Sequence, residues 1–269
     1  MEAPIPSRSR ARGRASLTVM IAATIAMLAS CSGLGINVDA GYTSLELTGD
    51  IGLTPTSIST IPPQRVDVEE GFGLKDAMSS PFGRVEAEVV VARIVASGFQ
   101  IDQTGRGALS VQFGDIPLST PIESTLEMTN LKGAILFDLL DLGPVRISPG
   151  IGADYFDLKL DARSLAVTTL RESLDATAPV PLIFVQGEVD LGYFDIVADV
   201  GAMKANVQDI DGTVLDVEVL ARFRPIDHVE LFAGYRHITL DVEGLADDNQ
   251  KYLGDLTLRG FMVGGGIYF

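Results

Sequence analysis

The side chains with acid–base or nucleophilic chemistry are few and widely spaced. Histidine occurs twice, at His228 and His237, and cysteine once, at Cys31. A hydrolase acting on lipid or peptide generally sets a His beside a Ser or an Asp. Here His228 falls in a short turn, and His237 shares the parity of the apolar Tyr235, so neither is placed to act as a base. One cysteine and two separated histidines make no transition-metal set of the usual kind. Gly264-Gly265-Gly266 lies inside an alternating strand, where close backbone packing accounts for it better than phosphate binding does. No catalytic residue, metal site or cofactor is therefore expected. What the sequence does provide is charge at alternate positions. Lys132, Arg146, Arg222, Arg224 and Arg236 are set against Asp154, Glu188, Asp190, Asp195, Asp199, Asp216, Glu218 and Glu230.

These charges sit on segments with a period of two. Val145, Ile147, Pro149, Ile151, Ala153 and Tyr155 share one face, opposite Arg146, Ser148, Gly150, Gly152 and Asp154. Ile183 to Asp190, Phe194 to Ala202, Thr213 to Arg224 and Val229 to Arg236 repeat the pattern, each pairing an uncharged face with a polar one. A soluble sandwich or lipocalin-like barrel would alternate in the same way with its apolar face inward. Three features favour the inverted arrangement, in which lipid covers the apolar face: glycines recur on the polar face, the sequence ends in Phe269, and short connections alternate with long ones. The short turns are Asp141 to Pro144, Asp190 to Tyr193 and Pro225 to His228; longer loops are expected around 104–121, 162–179 and 243–254.

The fold expected is all-β, a closed antiparallel up-and-down transmembrane β-barrel. A break near Ala92-Arg93 gives ten strands, at approximately 35–48, 82–91, 93–103, 123–140, 145–161, 180–190, 193–206, 212–224, 229–242 and 255–269. Reading 82–101 as one strand and leaving 35–48 outside would give eight, at the cost of an unpaired apolar segment. Residues 49–80 form the longest outer loop or a lumen insert. Hydrophobic residues make up 46% of the chain, yet no apolar run is long enough to cross as a helix, so entry into a membrane would be by strands. In a narrow lumen, Arg146, Arg222 and Arg236 are expected to pair in mid-barrel with Asp154, Asp199, Glu218 or Glu230. Asp190 and Asp195 would sit at the wet end. Paired lumen charges plug a barrel, and unpaired ones conduct.

Both ends of the sequence bear on location. Residues 1–14 carry Arg8, Arg10, Arg12 and Arg14 against Glu2, and an apolar run from Ala15 to Ala29 leads to Leu28-Ala29-Ser30-Cys31. That is the layout of a signal peptide over residues 1–30. The run falls short of the ~20 residues of a transmembrane helix. LASC resembles the bacterial lipobox, which implies lipid attachment at Cys31; ordinary cleavage nearby would leave a free thiol instead. By the same resemblance, Ser32 in place of Asp implies export to the outer membrane. At the other end, DLTLRGFMVGGGIYF resembles the C-terminal signal of bacterial outer-membrane barrels, which implies that Phe269, with Ile267 on the same face, is read by the assembly machinery. GYRHITLDVEG followed by that strand is similar to the closing hairpin of small barrels of the outer membrane protein A-like kind. Most such barrels are not lipoproteins, so Cys31 would add an anchor to the architecture.

The formal charge is −16, and removing the basic leader makes the remainder more acidic still. Such a field repels phosphates, which sets nucleic acid aside. The partners expected are outer-membrane lipids and the barrel-assembly and lipoprotein-export machineries of a Gram-negative-type envelope. One barrel domain over 31–269, with a structural or surface-interaction role and no catalysis, is the reading these residues support. The alternatives are a narrow passive channel and, third, a lipid-modifying enzyme dependent on His237.

Overall fold

A computed structural model describes residues 34–55, 62–89, 92–167, 169–207, 210–245 and 250–269. Ten long strands form the wall: β1 (Leu34–Leu53), β3 (Met78–Val89), β4 (Ala92–Ala108), β5 (Pro121–Phe137), β7 (Val145–Ser164), β8 (Arg171–Asp190), β9 (Phe194–Val207), β10 (Ile210–Ile226), β11 (Val229–Leu245) and β12 (Lys251–Tyr268). Two short strands, β2 (Val66–Asp67) and β6 (Leu140–Asp141), pair against β1 and β7. Each long strand is antiparallel to its sequence neighbour in the wall, and β12 returns to β1 from Asn37↔Tyr268 to Leu53↔Tyr252. The sheet is thus a closed ten-strand barrel, the larger of the two strand counts. Its closing seam is extended by Phe269, whose N–H donates to the Ile36 carbonyl at 2.9 Å.

The wall changes polarity part-way up while its parity stays fixed. On the lower part, next to Leu34 and Phe269, outward side chains are apolar: Tyr42, Leu131, Ile151, Ile183, Phe261 and Val263 are all exposed. Above that belt the outward positions become Glu46, Glu127, Lys159 and Arg259, while the inward ones become Leu45, Leu126, Leu158 and Leu258. Below the switch charged side chains enter the inward positions, interleaved with glycines and with a small apolar cluster of Phe82, Leu220, Phe232 and Met262. The stretches Val145 to Tyr155 and Phe261 to Phe269 match the ~9–11 tilted residues that cross a bilayer. A band of exposed hydrophobics around a closed barrel is stable only when something apolar covers it.

The upper half is therefore an inside-apolar barrel with its own hydrophobic core. Phe72, Leu74, Val66 and Val68 from the connection after β1 join Phe113 and Ile116 from the connection after β4, and all six are buried there. Phe72 and Phe113 meet edge to face at 5.0 Å. The first connection also mends the wall: β2 pairs with Asp50 and Ile51 of β1 above the point where β3 ends. Gly73 follows with φ +75°, and a Cβ there would sit 2.2 Å from the Arg106 carbonyl oxygen of β4, so only glycine lets the two backbones meet.

Two expected long connections are corrected, and that at 243–254 shrinks to 246–250, between Leu245 of β11 and Lys251 of β12. The long connection at 162–179 does not exist, because β7 runs to Ser164 and β8 starts at Arg171. Leu174, Ala176, Ala178 and Val180 alternate there with Ser173, Asp175 and Thr177, but their apolar face is the inner one.

Candidate functional site

The candidate site is the charged lower lumen, built by adjacent strands that each deliver one or two inward side chains. Arg84 of β3, which is fully buried, reaches across the lumen to Asp199 of β9 at 2.6 Å and Glu218 of β10 at 2.5 Å, and to Glu86 at 3.3 Å. Lys132 of β5 lies 3.2 Å from Glu218 and 3.3 Å from Asp216. Arg236 of β11 donates from Nε and Nη2 to the two Asp216 oxygens at 3.1 and 3.0 Å, and from Nη2 to Asn130 Oδ1 at 2.9 Å. Its guanidinium also lies over the Phe99 ring. This bidentate grip fixes geometry as well as charge.

A second cluster lies nearer the lower mouth. Arg222 is 3.5 Å from Asp39, 3.3 Å from Glu86 and 3.5 Å from Glu230. Arg224 pairs with Asp195 and, at 3.2 Å, with Glu230, and rests on the Tyr268 ring. Asn37 donates to Glu230 at 3.0 Å. Glu86, in contact with Arg84, Arg93 and Arg222, joins the clusters. At the mouth, Arg93 and Arg146 share Glu188 at 2.8 and 3.7 Å. A polar vestibule of about 250 Å³ opens there, lined by Glu88, Arg93, Arg146, Glu188 and Arg222 among others.

Charges taken out of water are tolerable only when they are paired and hydrogen-bonded. The network meets that condition at nearly every buried member, which makes it a cross-linking core for the narrow lumen rather than a row of free charges. Asp195 keeps its ion pair with Arg224 although its carboxylate oxygens accept no hydrogen bond, and Asp154 lacks both. Asp154 is fully buried, its carboxylate oxygens have no hydrogen-bond partner, and no cation lies within ion-pair distance among the described residues. Also among the described residues, no group of three or more His, Cys, Asp or Glu could hold a metal ion.

No protein-family model matches the chain, and no curated protein matches it either. Among solved structures, the outer membrane protease OmpT from Escherichia coli is similar, with a TM-score of 0.59 at 11% identity, covering 87% of this chain and 96% of that one. The chain has the fold of a bacterial outer-membrane β-barrel. Ail, the attachment invasion locus protein of Yersinia pestis, aligns at 10% identity over 88% of this chain and 99% of its own, with a TM-score of 0.36. Neisserial surface protein A aligns at 13% identity over 88% and 98%, with a TM-score of 0.33.

The structure brings most of the expected lumen residues together and redistributes their partners. Arg222 pairs with Glu230, and Arg236 with Glu218, each at 3.5 Å. Arg146 instead lies at the half-open mouth against Glu88 and Glu188, away from Asp154, Asp199, Glu218 and Glu230. The cause is its position near the lower end of β7, where the strand has only just left the turn. Asp154 and Asp199 do not pair with Arg146, and Asp199 belongs to Arg84. Asp190 is exposed at the wet end, but Asp195, two residues beyond the turn tip, is buried under Arg224. Arg84, Arg93, Asp39 and Glu86 are further network members, beyond those expected from the sequence. Arg84, Glu86 and Glu88 alternate with Val85, Ala87 and Val89, so the signal was present.

His228 occupies the lower turn with φ +66°, and its ring stacks on Phe269 at 5.3 Å. His237 is half-buried on the outer face, its Nε2 3.2 Å from the Thr239 hydroxyl. Ile267 and Phe269 are exposed on the belt. Cys31 and the whole of 1–30 lie outside the described residues.

Proposed function

We propose that this chain is an outer-membrane β-barrel lipoprotein of a Gram-negative-type envelope, with a structural or surface-interaction role and a lumen plugged by its own charges. The observation that carries the reading is the network centred on Arg84, Glu86 and Glu218. It crosses the lumen from β3 to β9 and β10 at the level of the apolar belt, and small barrels so filled are packed cores. The outer half supports the surface role. Its polar exterior and apolar interior project a folded, capped body beyond the belt, stable without lipid around it. The positions of the two histidines, one in the lower turn and one facing outward, support a non-catalytic role.

Two measurements test this reading. In planar bilayers the purified protein should be electrically silent, and steady ohmic single-channel currents from the unmutated chain would replace the plug with a narrow channel. A lipid change dependent on His237 would instead make it an enzyme. The anchor is tested separately. Leu34 begins β1 at the Phe269 end of the barrel, and three extended residues reach roughly 10 Å, so acyl chains on Cys31 would enter the leaflet at that rim. Cys31→Ala should leave an unprocessed or mis-processed precursor. An unmodified Cys31 in the mass spectrum of the wild type would remove the anchor and leave the barrel reading untouched.

A further inference from the structure

Among the described residues, neighbouring strands differ in height at two places in the upper wall, and only one of them is mended. Between β1 and β4, above the top of β3, the β2 segment fills the wall. Between β8 and β9 the ladder runs from Asp190↔Asp195 to Ile183↔Ala202 and stops, although β8 continues upward to Arg171 and β9 to Val207. Pro181 and Pro179 follow Ile183 on the same face of β8. Prolines have no N–H for a ladder and are confined to strand edges. No other described strand pairs with this edge.

Along the seam the inward side chains are less covered than those at its two ends. Leu174 and Leu182, at either end of the stretch, are almost fully buried. Ala176, Ala178 and Val180 between them point inward yet remain half-exposed, and Met203 of β9 does too. Behind them lies a cavity of about 60 Å³ walled by these β8 residues and by Phe156, Leu240 and Tyr252. Outside, an apolar groove of about 680 Å³ bounded by Ile151, Pro181, Ile183 and Met203 leads from the belt to the foot of the seam.

We propose that this seam is a lateral entry from the outer edge of the bilayer and that the cavity binds the end of a single alkyl chain. The proposal rests on reading the belt as lipid-facing. An apolar cavity stays dry and takes apolar guests; one of about 150 Å³ holds benzene. At less than half that volume this cavity suits the tip of a linear chain rather than a ring, with the rest of the chain lying in the seam and groove. A peptide adding a strand to the β8 edge is disfavoured by its two prolines, which cannot donate to it. The chain can come from a free fatty acid or from a bilayer phospholipid.

The test uses the full chain with Tyr252→Trp as a reporter, because the protein has no tryptophan of its own. In detergent micelles, 12-bromododecanoic acid should quench the reporter saturably. In bilayers without free acid, phosphatidylcholine brominated on its acyl chains should quench it only if a membrane lipid is the source. Ala178→Phe, or the milder Ala176→Leu, should abolish most of the quenching while the barrel still migrates differently on gels before and after boiling. Absence of quenching by both probes, or undiminished quenching in a folded Ala178→Phe variant, would overturn the proposal. A second reporter, Phe261→Trp, isolates the premise. If brominated lipid fails to quench it in bilayers the belt reading fails, whereas the micelle data judge the cavity alone.

Discussion

Arg84→Ala is expected to lower the stability of the barrel by about 3–5 kcal/mol, the usual cost of removing one partner from a buried ionic cluster. Arg84 has no exposed side-chain surface and touches Asp199, Glu218 and Glu86 at once. Without it, three carboxylates from β3, β9 and β10 face one another in a water-poor lumen. Lys132 and Arg236 still neutralise Glu218, but Asp199 keeps only Lys132, at 3.8 Å, and the Gln186 amide. The change should appear as a lower urea midpoint for the loss of the unboiled, fast-migrating band. Adding Asp199→Asn to Arg84→Ala should recover part of the loss, since it neutralises the acid left with the weakest partners. An unchanged midpoint in the single variant would mean that the lumen is wet enough to solvate those acids, and with that the plug would fail.

The polarity switch explains what the sequence made legible and what it hid. Ten strands could be placed because the lower half of each carries an apolar outward face in phase with polar or glycine positions, as in Val145 to Tyr155 and Phe261 to Phe269. Above the switch the same parity carries the opposite polarity. β8 above Val180 has no apolar outer face, so its sequence there reads as a loop. The connection between β1 and β3 was marked by its length, but nothing local revealed that Phe72 and Leu74 enter the core, because those contacts are made with Phe113 and Leu109 on a distant connection. The lumen charges were legible as to face and illegible as to partner. Face follows from parity within one strand, whereas partnership depends on where each strand stands in the barrel, as the displacement of Arg146 to the mouth shows.

Deleting Phe269 should separate two roles that coincide at one residue. In the folded barrel its backbone closes the lower end of the β1–β12 seam: its N–H donates to the Ile36 carbonyl at 2.9 Å, and the Ile36 N–H donates to its carbonyl at 3.2 Å. Each such bond contributes about 1 kcal/mol net. The ladder from Asn37↔Tyr268 upward is untouched, so the truncated chain, once refolded in detergent, should lose no more than about 2 kcal/mol from those bonds and remain heat-modifiable. Its amount in the outer membrane of cells should nevertheless fall severalfold, because the exposed aromatic end is the feature that resembles an assembly signal. Phe269→Ala sharpens the contrast. It keeps both backbone bonds and removes only the ring that stacks on His228, yet it should reduce insertion as much as the deletion does. Wild-type amounts of the truncated protein in the membrane would show that Phe269 is a strand end and nothing more, while equal losses in cells and in refolding would assign its whole effect to closure of the seam.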